Sequence, residues 1–146
     1  MQFIIMITMI FMIVFSAFDT IVAVDVSYDP LYDETSVSVD AVACAAQLRK
    51  DGYTTLGSID AWPWIGGSSM VSGPNSPNCG TCWKLTWAQN HKIIWVVAVD
   101  SDGEGFNLSE WAMDLWTDGQ AVKLGRITDV TMEQVDLPPS LCGHVL

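Results

Sequence analysis

From Trp83 to Trp87 large apolar residues alternate with polar ones, Trp, Lys, Leu, Thr, Trp, which predicts a half-buried β-strand. Residues 92–99, KIIWVVAV, form a β-branched run of the kind a strand shows when both its faces are covered. Gln89 and Asn90 between them read as a turn, so the two segments predict an antiparallel hairpin ending at Asp100. The chain then enters DSDGEGFN, an Asp- and Gly-rich loop. Asn107 with Glu110 three residues on resembles a capping box. Leu108, Ala112, Leu115 and Trp116 fall on one face of a 3.6-residue period that stops at Gly119, which predicts a short helix. Residues 121–137 read as strand material broken near Gly125 and ended by Pro138 and Pro139.

Upstream, SVSVDAVACA (36–45) alternates like a strand, and AAQLRKDG (45–52) supplies one or two helical turns closed by Gly52. Residues 62–78, WPWIGGSSMVSGPNSPN, carry enough Gly, Pro, Ser and Asn to predict a long irregular loop. Short strands, one main helix and long loops together predict a small β-rich barrel.

Residues 1–23, MQFIIMITMIFMIVFSAFDTIVA, hold no Lys or Arg and an apolar run from Phe3 to Phe15. At ~1.5 Å per residue that run is short for a ~30 Å hydrocarbon core and matches a secretory signal peptide, with cleavage expected after Ala23 and the domain over 24–146. No membrane span is expected. The formal charge of −11 becomes −10 without this segment, because it contains one acid, Asp19, and no base. Such acidity repels phosphate backbones, and no basic patch offsets it, so nucleic acid is excluded as a partner.

Cys44, Cys79, Cys82 and Cys142 all follow the export segment, and an even count in an oxidising compartment points to two disulfides, with three pairings open. The alternatives for NCGTCW (78–83) fail on spacing. A papain-like cysteine enzyme needs its His and Asn ~130 to 150 residues downstream, and only 64 residues follow Cys82. A zinc site finds no H-x-x-x-H spacing at His91 and His144. A thioredoxin-like motif opens a helix, whereas a strand pattern follows here. No metal or cofactor is expected.

VSYDPLYD (26–33), VACA (42–45), YTTLG (53–57), NSPNCGTCWKLT (75–86), VAVDSDGEGFNL (97–108), QAVKLGRI (120–127) and VTMEQVDL (130–137), in this order and before a last cysteine, resemble the cerato-platanin proteins of filamentous fungi. The resemblance implies a mainly β protein with short helices, a six-stranded double-psi β-barrel related to the first domain of expansins. It also implies two disulfides, Cys44 to Cys79 and Cys82 to Cys142. It implies a secreted, partly wall-associated protein that binds chitin or N-acetylglucosamine oligomers without hydrolysis, triggers plant defence through a host receptor, and in some members self-assembles at interfaces. Ala45, Ala46 and Gln47 replace the polar tripeptide that many members carry after the first cysteine.

Sugar recognition needs an array of polar groups and an apolar face for the pyranose ring. By resemblance the carbohydrate-binding residues are Tyr28, Asp29, Lys84, Asp100, Ser101 and Asn107, with no catalytic residue. Each has a structural alternative. Asp100 ends a strand and can bond loop amides, Asn107 can cap a helix, Lys84 can be a solvated charge and Tyr28 can be core. Asn107 also heads the sequon Asn-Leu-Ser. Trp83, Trp87 and Trp95 are expected in the barrel and Trp111 and Trp116 under the helix, while Trp62 and Trp64, flanking Pro63, are candidates for an exposed sticky surface. Hydrolysis would need two carboxyls ~5 to 9.5 Å apart with one held in an apolar pocket, which Asp100, Asp102 and Glu104 in one polar loop do not supply.

Overall fold

The computed structural model describes residues 23–145. Seven strands occur in this span: β1 (Ala23–Tyr28), β2 (Ile65–Ser68), β3 (Cys82–Trp87), β4 (Ile93–Ser101), β5 (Phe106–Leu108), β6 (Arg126–Val135) and β7 (His144–Val145). The sheet runs β2-β5-β1-β6-β3-β4, and β2 pairs again with β4, so six strands close on themselves and β7 adds only to β4. Two of the barrel's pairings are parallel, β1 with β5 and β2 with β4, and the others are antiparallel. The mixed six-stranded barrel implied by the resemblance is the one found. The segment expected to direct export lies outside the described residues except for Ala23, which opens β1 opposite Thr131 of β6.

The hairpin forms where the periodicity puts it. Trp83, Leu85 and Trp87 of β3 are buried between partly exposed Lys84 and Thr86, and β4 is buried on both faces from Val96 to Val99. Both disulfides follow the implied pairing, Cys44–Cys79 and Cys82–Cys142. The second ties the first residue of β3 to the chain beyond β6.

Four local expectations are corrected. Residues 36–45 do not form a strand: their alternation is met by one isolated bridge, Ser38 to Thr55, and a 3₁₀ turn at Val39–Ala41 that buries Val39. The supposed irregular loop contains β2, whose sequence Ile-Gly-Gly-Ser has little strand propensity but lies between β4 and β5 with every residue buried. Asn107 caps no helix because it belongs to β5. The cap of α2 (Glu110–Thr117) is Ser109, whose Oγ accepts from the Ala112 amide at 3.0 Å. Residues 121–124 are helical, and Gly125, at φ +66°, turns the chain into β6.

Burial is corrected as well. Trp116 is fully buried, but Leu115 is 44% exposed and Trp111 51% exposed, so α2 buries the narrower face formed by Ala112, Met113 and Trp116. Trp62 and Trp64 are half-buried against the core. The Trp62 Nε1 donates to the Tyr32 carbonyl at 3.1 Å, so these two rings are not the exposed surface expected of them.

Candidate functional site

Strand β2 organises one end of the barrel. Its Gly67 and Ser68 pair with Asp100 and Ser101 at the end of β4, and with Asn107 and Phe106 on the other side. Across β5, Asn107 stands opposite Ser27 of β1, and Tyr28 and Asp29 follow directly. Five of the six residues expected to bind carbohydrate, Tyr28, Asp29, Asp100, Ser101 and Asn107, therefore lie on adjoining strand positions at this end of the barrel, the ledge, although the Tyr28 ring packs partly against the core, as its alternative had it. Gly67 is buried beneath it and closely packed: a Cβ there would lie 3.0 Å from the Tyr32 hydroxyl, 3.2 Å from the Ser101 carbonyl oxygen and 3.3 Å from the Asp102 Cβ, so glycine lets these strand ends meet. The sixth residue is elsewhere. Lys84 pairs with Trp95 and Glu133, its Nζ is 3.2 Å from the Glu133 carboxylate, and Trp95 is five residues from Asp100 along β4, about 16 Å.

The ledge mixes structural and uncommitted polar groups. The Ala43 and Ser101 amides each donate to Asp100 Oδ1 at 2.8 Å, and the Tyr32 hydroxyl donates to Oδ2 at 3.2 Å. Asp100 thus performs the loop-bonding role proposed as its alternative, and does so at the ledge. The Leu31 amide donates to Asp29 Oδ1 at 2.9 Å, capping the 3₁₀ helix Pro30–Asp33. Ser27 Oγ donates to Asn107 Oδ1 at 3.1 Å, which leaves the Asn107 Nδ2 group without a partner among the described residues. The Ser101 and Tyr28 hydroxyls also bond to none of them. These groups are free to donate and accept hydrogen bonds.

Tyr32 was not singled out in the sequence, although SYDPLYD places it four residues after Tyr28. It is 3% exposed. Burial, and after it the Asp100 charge, push its phenol well above the ordinary tyrosine value. Because the folded-state value is raised, the associated stability is present below the unfolded value of about 10 and is lost as pH climbs above it. In chemical denaturation followed across that range, the protein is expected to lose stability more steeply than the Tyr32→Phe variant; parallel curves would remove Tyr32 as the cause.

The start of α2 is held from the same region. Asp33 accepts from the Glu110 amide at 2.8 Å and the Trp111 amide at 3.0 Å. With Ser109 these acceptors satisfy the first amides of the helix, where a negative charge is also favoured. Ser109, the third residue of the sequon, is buried, and its Oγ donates to the Pro63 carbonyl at 2.7 Å.

Relatives agree with the barrel. The sequence profile of the Cerato-platanin family matches residues 24–144. The "Allergen Asp f 15 homolog" of Arthroderma benhamiae is 46% identical over 123 residues, covering 82% of this chain and 58% of that protein. This chain therefore spans less than two thirds of that relative's length. Among solved structures, cerato-platanin 3 from M. perniciosa superposes with a TM-score of 0.73 at 44% identity, covering 79% of this chain and 95% of the other. The solution structure of the fungal elicitor Cerato-Platanin gives 0.67 at 35% identity, covering 77% and 92%. A closed mixed barrel with two disulfides, a family profile over most of its length and these superpositions lead to one conclusion: the chain belongs to the cerato-platanin family.

Proposed function

We propose that this protein is secreted, holds chitin or N-acetylglucosamine oligomers on the ledge without cleaving them, and acts as an elicitor or effector sensed by a plant receptor. The observation that carries the reading is the set of uncommitted groups, the Tyr28 and Ser101 hydroxyls and the Asn107 amide, on strands that pair side by side at this end of the barrel. A pyranose offers hydroxyls and an acetamide at matching scale, and a rigid array loses little entropy on binding. Asp100 supports the non-catalytic reading because both of its oxygens already accept hydrogen bonds. Export is supported by the apolar leader and by two disulfides, which persist in oxidising compartments. The elicitor role is supported by the word in the name of a solved relative.

Titration with chitin oligomers followed by amide chemical shifts tests the ledge. Shifts are expected at Gly67, Ser101 and Asn107, with Lys84 unmoved and no new reducing ends released. Shifts centred away from the ledge would displace the site, and a silent spectrum would remove the binding function.

Self-association is the second reading, and its apolar surface moves from Trp62 and Trp64 to α2 and α3 (Ala121–Leu124), where Leu115, Leu124 and Val122 are 44%, 37% and 68% exposed. Concentration-dependent assembly lost in Val122→Ser would favour it.

A further inference from the structure

Beside the ledge, Pro30, Asp33, Glu34, Glu110, Trp111 and Asp114 line an open groove of about 310 Å³. Pro30 directly follows Asp29, so groove and ledge adjoin. Its wall is the indole of Trp111, 51% exposed, which is unusual for so large an apolar ring. The ring is also held in place. Trp62 meets it edge-on at 5.3 Å between centroids and 78° between planes, and Asp33 fixes the Trp111 backbone amide. The other walls are acidic. Asp33 spends both oxygens on the start of α2 and Asp114 Oδ1 accepts from the Ala121 amide at 2.8 Å, whereas the Glu34 and Glu110 carboxylates bond to nothing among the described residues. None of the four carboxylates belongs to an ion pair there.

A rigid, half-exposed indole flanked by two uncompensated carboxylates matches a ligand that combines a flat apolar face with a positive charge. A phosphorylated or carboxylated ligand would be repelled by them, and a neutral N-acetyl sugar would leave the charge unanswered. An amino sugar with a free ammonium satisfies both features: its ring packs on the indole while its nitrogen lies between the carboxylates. We infer that the Trp111 groove is a subsite for glucosamine units, so that the preferred ligand is partially deacetylated chitin, with acetylated units on the ledge and a deacetylated one in the groove. The groove's part of this inference stands without the ledge; the joint occupancy rests on the chitin-binding reading.

The test compares a fully deacetylated glucosamine oligomer with the matching N-acetylglucosamine oligomer by calorimetric titration of the disulfide-bonded protein. Carriers of Glu34→Gln with Glu110→Gln, or of Trp111→Ala, are expected to bind the glucosamine oligomer about tenfold more weakly and the acetylated one unchanged, with Trp111→Phe recovering most of the loss. Unchanged glucosamine binding in both variants would overturn the inference. So would an oligolysine of equal charge that binds as tightly and shows the same losses, since the groove would then read charge alone. If the acetylated oligomer does not bind while the glucosamine oligomer binds and responds to the variants, the groove stands and the ledge reading falls.

Discussion

Gly105→Ala is expected to cost roughly 3–5 kcal/mol, a large share of the total stability of a domain, of order 5–15 kcal/mol. Two effects add. Gly105 adopts φ +67°, a left-handed conformation that a Cβ disfavours by ~1–2 kcal/mol. The added Cβ would also lie 1.9 Å from the Asp25 carbonyl oxygen, a backbone atom of β1 that cannot swing aside as a flexible side chain can. The next residue, Phe106, opens the parallel pairing with β1 at Val26, so relieving the clash means separating β5 from β1 where the ledge is assembled. Gly103, two residues earlier in the same loop, is the matched control, because a Cβ there meets nothing within 4 Å. Gly103→Ala should stay within about 0.5 kcal/mol of the parent. Guanidinium unfolding of the two variants side by side checks the contrast, and equal stabilities would show that the turn into β5 tolerates a side chain.

Removing the Cys82–Cys142 bridge by paired alanine substitution is expected to cost about 4 kcal/mol, the chain-entropy value for its 60-residue separation. The loss should be localised as well as global. The bridge holds the segment after Pro138, including the 3₁₀ turn Pro139–Leu141, and β7 contributes only two pairings to β4. Hydrogen exchange should therefore quicken first at Leu141 and Cys142, whose amides bond to Pro138 and Pro139 carbonyls, and later in β3 and β4. An unchanged unfolding free energy would mean that β6 and β7 hold this segment without the crosslink. The Cys44–Cys79 bridge acts elsewhere, joining the residue before α1 (Ala45–Lys50) to the loop ahead of β3, so its removal should leave the Leu141 and Cys142 amides protected.

These effects divide the molecule according to where its information lies. The β3–β4 hairpin was legible because its determinants are local: alternate residues of a strand face opposite sides, and burial of one side or both writes itself into residues 83–87 and 92–99. The existence of α1 and α2 was legible for the same reason, though not the start of α2, since Asn107 and Leu108 belong to β5. The resemblance of ordered motifs such as NSPNCGTCWKLT and VAVDSDGEGFNL implied the barrel and the disulfide pairing, and it brought Asp100, Ser101 and Asn107 forward as candidates.

Only the tertiary structure decided the rest. Ile-Gly-Gly-Ser reads as a loop by propensity, yet it is a barrel strand. A Cβ on Gly66 would lie 2.3 Å from the Asn107 carbonyl oxygen, so glycine is what lets β5 approach, a requirement set by a strand some forty residues away in the chain. Asn107 has the local look of a helix cap, but pairing with β1 and β2 claims its backbone and passes the cap to Ser109. The helical period gave Leu115 and Trp111 no reason to differ from Trp116; exposure was settled by where α2 docks. Lys84 travelled with its motif but not with the ledge, because strand register carries it along β3 and away from Asp100. The amino-acid order by itself determined which segments alternate, which turn, and that four cysteines pair. Which side chains share the ledge and which tryptophan faces solvent depended on contacts between distant segments, because van der Waals packing and hydrogen bonding act only between groups that the closed barrel brings within a few ångströms of each other.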